Sequence, residues 1–432
     1  MSRRNFSLLL ATVFVSLVCW GRKPDNPHAR FVAECFDKID EHAYDRPADQ
    51  ELVDGAMRGM VEVLRRRGDN NTQYFRPEAA DVLRESMSGK GFGGVGIRLR
   101  VTGDPPLPTV VGPPAPGTPA YAGGVRDGDR IVAIDGERLT GLTPEDIRLV
   151  TDQIRGEPGE PVELTVSRPA GGGAAGSDPA ADTGGAGAGA EPVELRLTLT
   201  RAIVVTPTLV GDRPYADGTW RHMLAQDPRI ALVRVLQFGD QTFDDFRRLL
   251  PRLEDAGMRA LVIDLRGNPG GSLDEVIEMC DLLLPAGAEI VETRDRRQRV
   301  LERRRATGRY GSYTGVPIAV LIDGGSASAS EILAACLQDN DRAVVIGSRS
   351  FGKGTVQQVF DMQAGASLLK LTSSTYWRPS GENIHRLPGT PEDKPWGVKP
   401  TPGFETPLPE ADRRALAEAR SLRDVTPIDR LA

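Results

Sequence analysis

The sequence predicts an α/β protein, a β/α layered core behind a smaller β-rich unit and a helical N-terminal region. Three observations lead there. From Arg229 onward, apolar strand-like runs alternate with helix-like runs, the pattern of layered β/α cores. Between Gly91 and Arg201 the pattern is instead short strands separated by glycine turns. The chain has 432 residues, 39% of them hydrophobic, which is too long for one average domain and enough to bury more than one core.

The N-terminus reads as a targeting segment. Arg3 and Arg4 precede an apolar run from Leu8 to Trp20, followed by Gly21-Arg22-Lys23. A positive stretch before a short apolar run marks a secretory signal, and Ser2-Arg3-Arg4-Asn5-Phe6 is similar to a twin-arginine signal. No small-x-small cleavage site follows, and Ser16-Leu17-Val18-Cys19 is a poor lipoprotein box. A cleaved signal and an uncleaved anchor over residues 1–23 fit equally. Either places the chain in the cell envelope or periplasm.

Residues 24–88 read as helices. Phe31, Cys35-Phe36 and Ile39 recur at helical spacing, as do Leu52, Ala56, Met60, Val63 and Leu64, with a break at Asn70-Asn71-Thr72. Residues 89–205 carry Gly94-Val95-Gly96-Ile97, then Gly128-Asp129-Arg130-Ile131 and the turn Ile134-Asp135-Gly136, a helix from Pro144 to Ile154 and a strand from Val162 to Arg168. Residues 170–191 are almost all Gly, Ala, Ser, Asp and Pro, which predicts a disordered loop. Glu160-Pro161-Val162-Glu163-Leu164 precedes it and Glu191-Pro192-Val193-Glu194-Leu195 follows, both continuing as alternating strands. Two paired strands joined by an expanded hairpin loop fit that arrangement.

In the core, residues 206–403, strands are expected at 230–236, 259–265, 317–322, 343–346 and 367–376. Helices are expected at 243–253, 273–284 and 328–337. The tail, 404–432, is rich in proline and charge, with a helical stretch from Arg413 to Leu422. The net charge of −6 gives no argument for nucleic acid as a partner. The four cysteines form no CxxC or Cys/His cluster, so neither a metal nor another cofactor is implied. Cys280 and Cys336 read as small buried thiols. The eight arginines between Arg294 and Arg309 read as a solvated hairpin or loop.

Chemistry concentrates in three stretches. Gly325-Ser326-Ala327-Ser328-Ala329-Ser330-Glu331 places serines at the start of an apolar helix, just after a strand. Unpaired N–H groups and the helix dipole favour negative charge there. Ser328 is the candidate nucleophile, and the N–H of Ala329 an oxyanion donor. Taken alone, these serines could be caps and packing residues. Phe351-Gly352-Lys353-Gly354-Thr355-Val356-Gln357 sets a lone lysine between glycines. Burial lowers a lysine's pKa and makes it a base able to deprotonate serine, and Gln357 is placed to orient its amine. Asp264-Leu265-Arg266-Gly267-Asn268-Pro269-Gly270-Gly271 is a strand ending in a glycine turn, so Gly270 or Gly271 is a candidate second oxyanion donor. The four histidines, His28, His42, His222 and His385, are scattered and none sits in a comparable motif.

These stretches, with Leu369-Lys370-Leu371-Thr372, resemble the carboxyl-terminal processing proteases. The resemblance covers roughly residues 25–403. It implies a serine endopeptidase with a crotonase-like β/α spiral core and a preceding or inserted PDZ domain, the latter carried by the Gly94–Ile97 loop and the Gly128–Gly136 strand and turn. It further implies Ser328 as nucleophile, Lys353 as general base, Gln357 as its assistant, and supporting positions at Glu331 and Asp339. A PDZ domain captures a peptide's C-terminal carboxylate on a loop such as Gly94-Val95-Gly96-Ile97, with the peptide added as a strand. The implied partners are proteins or peptides with free, extended C-termini. The sequence leaves membrane association through the N-terminal segment and oligomerisation open. Two departures stand out. Gly397-Val398-Lys399-Pro400-Thr401 has threonine where the family has an acid, and residues 387–396 read as an insertion. The rival readings are a non-catalytic PDZ scaffold and a crotonase-like acyl-thioester enzyme. The serine, lysine and glutamine together argue against the first; the PDZ-like segment and export signal argue against the second.

Overall fold

The computed structural model describes residues 26–87, 92–103, 105–112, 114, 117–143, 146–168, 192–204, 207–215, 219–311, 313–387 and 389–424. The expected signal or anchor and the expected 170–191 loop lie outside the described residues. Among the described residues no helix is long and apolar enough to cross a membrane.

The N-terminal region forms α1 (Pro27–His42), α2 (Asp49–Arg66), β1 (Gln73–Phe75) and α3 (Pro77–Met87). Asn26 caps α1 by accepting the His28 N–H, and Pro27 enters the helix where its missing donor costs nothing. The apolar face predicted for α1 is left uncovered: the helix buries none of its residues, and Phe31 is 66% exposed.

The smaller unit comprises β2 (Phe92–Gly94), β3 (Leu99–Thr102), β4 (Leu107–Val110), α4 (Pro119–Ala122), β5 (Arg130–Ile134), β6 (Glu137–Arg138), α5 (Ile147–Ile154), β7 (Pro161–Arg168), β8 (Val193–Thr200) and β9 (Ala202–Val204). Six of its strands form one sheet, ordered β3-β4-β5-β7-β8 with β6 on β5, while β2 pairs with β9. The two flanks of the Gly/Ala-rich segment do pair, antiparallel from Pro161↔Thr200 to Arg168↔Val193. Val95, Val110, Ile131, Ile154, Leu164 and Val166 fill a core of their own.

The larger unit contains β10 (Leu209–Val210), β11 (Arg213–Pro214), β12 (Trp220–Arg221), β13 (Ile230–Val235), α6 (Thr242–Asp255), β14 (Ala260–Asp264), α7 (Leu273–Leu283), β15 (Glu289–Arg294), β16 (Val300–Arg305), β17 (Ile318–Ile322), α8 (Ala329–Asp339), β18 (Ala343–Gly347), β19 (Thr355–Met362), β20 (Ser367–Trp377) and the C-terminal helix α9 (Glu410–Arg423). Strands β13, β14, β17 and β18 run parallel in the order β10-β13-β14-β17-β18. Strand β13 is buried along nearly its whole length, while β14 and β17 alternate buried and half-buried residues and the edge strand β18 exposes Val344. Phe246, Leu250, Leu261, Ile263, Met279, Leu283 and Ile322 are fully buried between sheet and helices. A second sheet, β1-β20-β15-β16 with β19 on β20, joins the N-terminal region to this unit. The parallel sheet delivers two strand ends side by side, Asp264 of β14 opposite Leu321 of β17, and the predicted chemistry follows both.

The arginine run is the β15–β16 hairpin, and most of its charge is neutralised locally. Arg294 and Arg303 pair with Glu292, Arg299 with Asp295, Arg304 with Glu302, Arg305 with Glu289 and Arg309 with Glu278.

Candidate active site

Ser328 is the N-cap residue of α8, at φ 56° and ψ −116°. A non-glycine residue in that region is strained by roughly 1–3 kcal/mol, and such strain collects at functional sites. The strand-to-helix turn around it is held from below. Ser326 Oγ donates to the Leu265 carbonyl at 2.8 Å, and Asp323 Oδ1 accepts the Gly267 and Gly325 N–H groups at 2.9 Å each. The N–H of Ala329, the first helical residue, has no acceptor among the described residues.

The glycine turn after β14 lies against this serine. Asn268, 1% exposed, joins the two. Its Nδ2 donates to the Val235 carbonyl at 2.8 Å, and its own carbonyl accepts Ala327 N–H and Ser330 Oγ–H, both at 3.0 Å. Its Oδ1 accepts the Gly270 N–H at 2.8 Å. That bond separates the two oxyanion candidates: the Gly270 N–H is occupied, whereas the Gly271 N–H meets no acceptor among the described residues. Both glycines are required sterically. A Cβ on Gly270 would sit 2.7 Å from Ser328 Cβ, and one on Gly271 2.1 Å from the Phe238 carbonyl oxygen. Asn268 was part of a predicted motif but carried no predicted role; its signal was a buried amide amid glycines.

Glu331 is fully buried and accepts four hydrogen bonds. Oε1 takes Ser350 Oγ–H and Gly352 N–H at 2.6 Å each. Oε2 takes Ser328 N–H and Lys353 N–H at 2.8 Å each. Burial pushes its pKa upward, against the pull of those four donors.

Lys353 is half-buried. Desolvation is the main cause lowering its pKa below the ordinary lysine value, followed by the positive charge of Lys370, with Glu331 opposing. Its Nζ has no ion pair or hydrogen bond among the described residues, and Ser328 Oγ makes none with it. Gln357 makes no hydrogen bond with it among the described residues: its Nε2 donates to Thr355 Oγ1 at 2.9 Å. The structure therefore brings Ser328, Ala329, Gly270, Gly271, Glu331 and the Lys353 backbone together, with the Gln357 amide held on Thr355 and the Lys353 amine bonded to neither Ser328 nor Gln357 among the described residues.

Asp339 lies at the far end of α8 from Ser328, roughly 16 Å along the axis at 1.5 Å per residue. It pairs with buried Arg378, Oδ1 at 2.5 Å and Oδ2 at 2.8 Å, and accepts the Ser380 N–H. The turn it holds leads to His385 and Arg386, whose backbone packs on Gly354 and Gly352.

Both departures named from the sequence make contacts that the sequence did not indicate. Trp396, the last residue of the stretch expected to be an insertion, stacks with Arg349 (3.6 Å to the ring centroid) and Arg386 (4.1 Å), and its ring lies against Gly352 of the lysine loop. Thr401 accepts the Val345 N–H on its Oγ1 at 2.9 Å. A cavity of about 500 Å³ between β12 and α6, lined by Trp220, His222 and Leu253, includes none of the predicted site residues.

In the smaller unit, Gly96 has φ +81° and packs on Thr118, and the Val95 carbonyl accepts the Ala120 N–H at 2.8 Å. The N–H groups of Gly96 and Ile97 meet no acceptor among the described residues. Ile97 packs against the apolar core, and α5 lies beside β3, the outer strand of the sheet.

Comparison with known proteins agrees with this layout. Residues 229–400 match the model of peptidase family S41, and residues 110–168 match that of the PDZ domain. A carboxy-terminal-processing protease of Bartonella bacilliformis is 35% identical over 389 residues, 88% of this chain and 76% of the relative. A carboxyl-terminal-processing protease of a Picosynechococcus species is 31% identical, over 79% of this chain and 73% of the relative. Among solved structures, a photosystem II D1 C-terminal processing protease is 25% identical and aligns over 90% of this chain and 94% of its own, with a TM-score of 0.46. The family matches and relatives define a serine peptidase with a PDZ domain, acting on proteins or peptides. The chain belongs to the carboxyl-terminal processing protease family within peptidase family S41.

Proposed function

We propose that the protein is an endopeptidase that cuts near substrate C-termini by Ser-Lys acyl-enzyme chemistry. Ser328 Oγ attacks the scissile carbonyl and its proton passes to neutral Lys353 Nζ. The oxyanion is held by the N–H groups of Ala329 and Gly271, two donors left without partners among the described residues. Lys353 returns the proton to the leaving amine, and the C–N bond breaks. Water then attacks the acyl-enzyme with Lys353 taking its proton; the C–Oγ bond breaks, Lys353 passes the proton to Ser328 Oγ, and the free serine is restored. Gln357 orients the lysine amine, and Glu331 and Asp339 hold the framework. The observation that carries this reading is the shared Glu331 carboxylate, which ties the Ser328 and Lys353 backbones to a single oxygen.

The substrate tail is captured by the Gly94-Val95-Gly96-Ile97 loop and adds as a strand beside β3. The domain limits that go with this reading are an export signal or anchor at 1–23, a helical region at 24–88, the PDZ domain at 89–205, a crotonase-like core at 206–403 and a tail at 404–432. The protein then works in the cell envelope.

Incubating a denatured protein with the enzyme and identifying the products by mass spectrometry tests the reading. Ser328→Ala, Lys353→Ala and the double variant should lose activity to a similar extent, because residues acting as a unit are not additive. Substantial turnover by either single variant removes the assignment.

A further inference from the structure

Gln357 is held by a hydroxyl that the N-terminal region also holds. Gln357 Nε2 donates to Thr355 Oγ1 at 2.9 Å, and Asn71 Nδ2 donates to the same oxygen at 3.4 Å. Thr355 is 6% exposed. Asn71 belongs to a tightly bonded turn. The Asp69 carboxylate accepts Asn71 N–H and Thr72 N–H at 3.1 Å each, Thr72 Oγ–H at 2.6 Å and Thr372 Oγ–H at 2.9 Å. Thr72 Oγ1 in turn accepts the Thr372 N–H at 3.1 Å. Thr372 is the cross-strand partner of Gln357, and the β19–β20 register shifts between Val356 and Gln357. Such a bulge re-aims a side chain. The turn at 69–72 thus grips the strand opposite Gln357, and its Asn71 grips the hydroxyl that Gln357 uses.

We propose that Asn71 and Thr355 are positioning residues for the peptidase reaction, fixing the Gln357 carboxamide with its nitrogen on Thr355 and its carbonyl oxygen free for the Lys353 amine. The chemistry requires that polarity. A lysine acting as base must aim its lone pair at the serine, so its N–H bonds need acceptors, and ammonium has no acceptor of its own. A carboxamide turned the other way would present N–H groups to N–H groups. The N-terminal region is then part of the catalytic machinery. This inference rests on the Ser-Lys reading above.

The test is kcat and KM on an unstructured peptide substrate for Thr355→Val, Thr355→Ser, Asn71→Ala, Gln357→Ala and the Thr355→Val/Gln357→Ala double variant. Thr355→Val should lower kcat roughly tenfold with KM unchanged, the size of one well-placed hydrogen bond. Thr355→Ser should restore it, and Asn71→Ala should lower kcat about threefold. The double variant should match Gln357→Ala alone, since Thr355 acts through Gln357. Wild-type kcat for Thr355→Val, or losses that multiply in the double variant, overturns the assignment. If Thr355→Val does not fold, Asn71→Ala combined with Gln357→Ala decides by the same non-additivity. Ser328→Ala is run alongside: full turnover there removes the Ser-Lys reading itself, whereas an inactive Ser328→Ala with multiplying losses removes only the positioning role.

Discussion

Ser328 and Lys353 are joined through one atom: both backbone N–H groups donate to Glu331 Oε2 at 2.8 Å. The side chains that do the chemistry leave from backbones whose separation is set by a third residue, itself anchored one turn into α8. Glu331→Gln tests this. A carboxamide has one acceptor oxygen and would aim an NH2 group at two of the four donors. Buried donors left unmatched cost about 1–3 kcal/mol. The expected outcome is a lower melting temperature and a kcat reduced at least tenfold, with KM little changed. A variant with wild-type kcat would show that the lysine loop holds its place without the clamp.

Lys353 can accept the serine proton only when neutral, so the active fraction rises with pH through its pKa. Burial and Lys370 lower that pKa, so the ascending limb of kcat/KM should lie below the ordinary lysine value of 10.5. Lys370→Met removes a like charge. Lys353 should then hold its proton to higher pH, and the limb should move toward alkali. Glu331→Gln removes the opposing negative charge and should move it the other way. A limb unmoved by Lys370→Met would mean that the rate reports some other group.

The oxyanion assignment separates two neighbouring glycines. Gly271→Ala puts a methyl 2.1 Å from the Phe238 carbonyl at a backbone φ of +148°, so the residue must shift and carry its N–H away. Losing one oxyanion donor costs about 10²–10³ in kcat. Gly267→Ala is the control. Its φ of +75° is strained but nothing lies within 4 Å of the added carbon, so it should cost about 1 kcal/mol of stability and little activity. Equal kcat losses in the two variants would count against Gly271 as a donor.

The alternation of apolar strands and helices made the parallel sheet readable, because strands and helices that pack on one another are held to apolar residues at their buried positions. The Ser328, Lys353 and glycine-turn stretches were readable because local backbone demands restrict them to few residue types. Contacts between distant segments were not. Nothing near Asn71 or Thr72 in sequence points to Thr355 or Thr372, and Trp396 gave no hint that it stacks on the lysine loop. The occupied Gly270 N–H also depends on a side-chain rotamer that spacing cannot encode. The exposed face of α1 shows the converse: periodicity located the helix but not a surface to cover it.

The Gly94-Val95-Gly96-Ile97 loop, as the proposed capture site, should recognise a free carboxylate. Gly96 and Ile97 present N–H groups with no acceptor among the described residues, at the entry to the outer strand β3. Backbone donors of this kind favour an anion, and strand addition along β3 would carry the tail beside α5. Amidating the substrate's C-terminus removes the charge without altering the sequence that is cut. At low substrate concentration the amidated form of a long substrate should be cleaved several-fold more slowly, through a higher KM at similar kcat. A short peptide that reaches Ser328 directly should lose much less. Placing a bulkier group on Gly96 should mimic amidation, because a Cβ there meets Thr118 at 2.5 Å and the loop must open. Equal cleavage of free and amidated long substrates would remove carboxylate capture from the mechanism and leave the chemistry at Ser328 untouched.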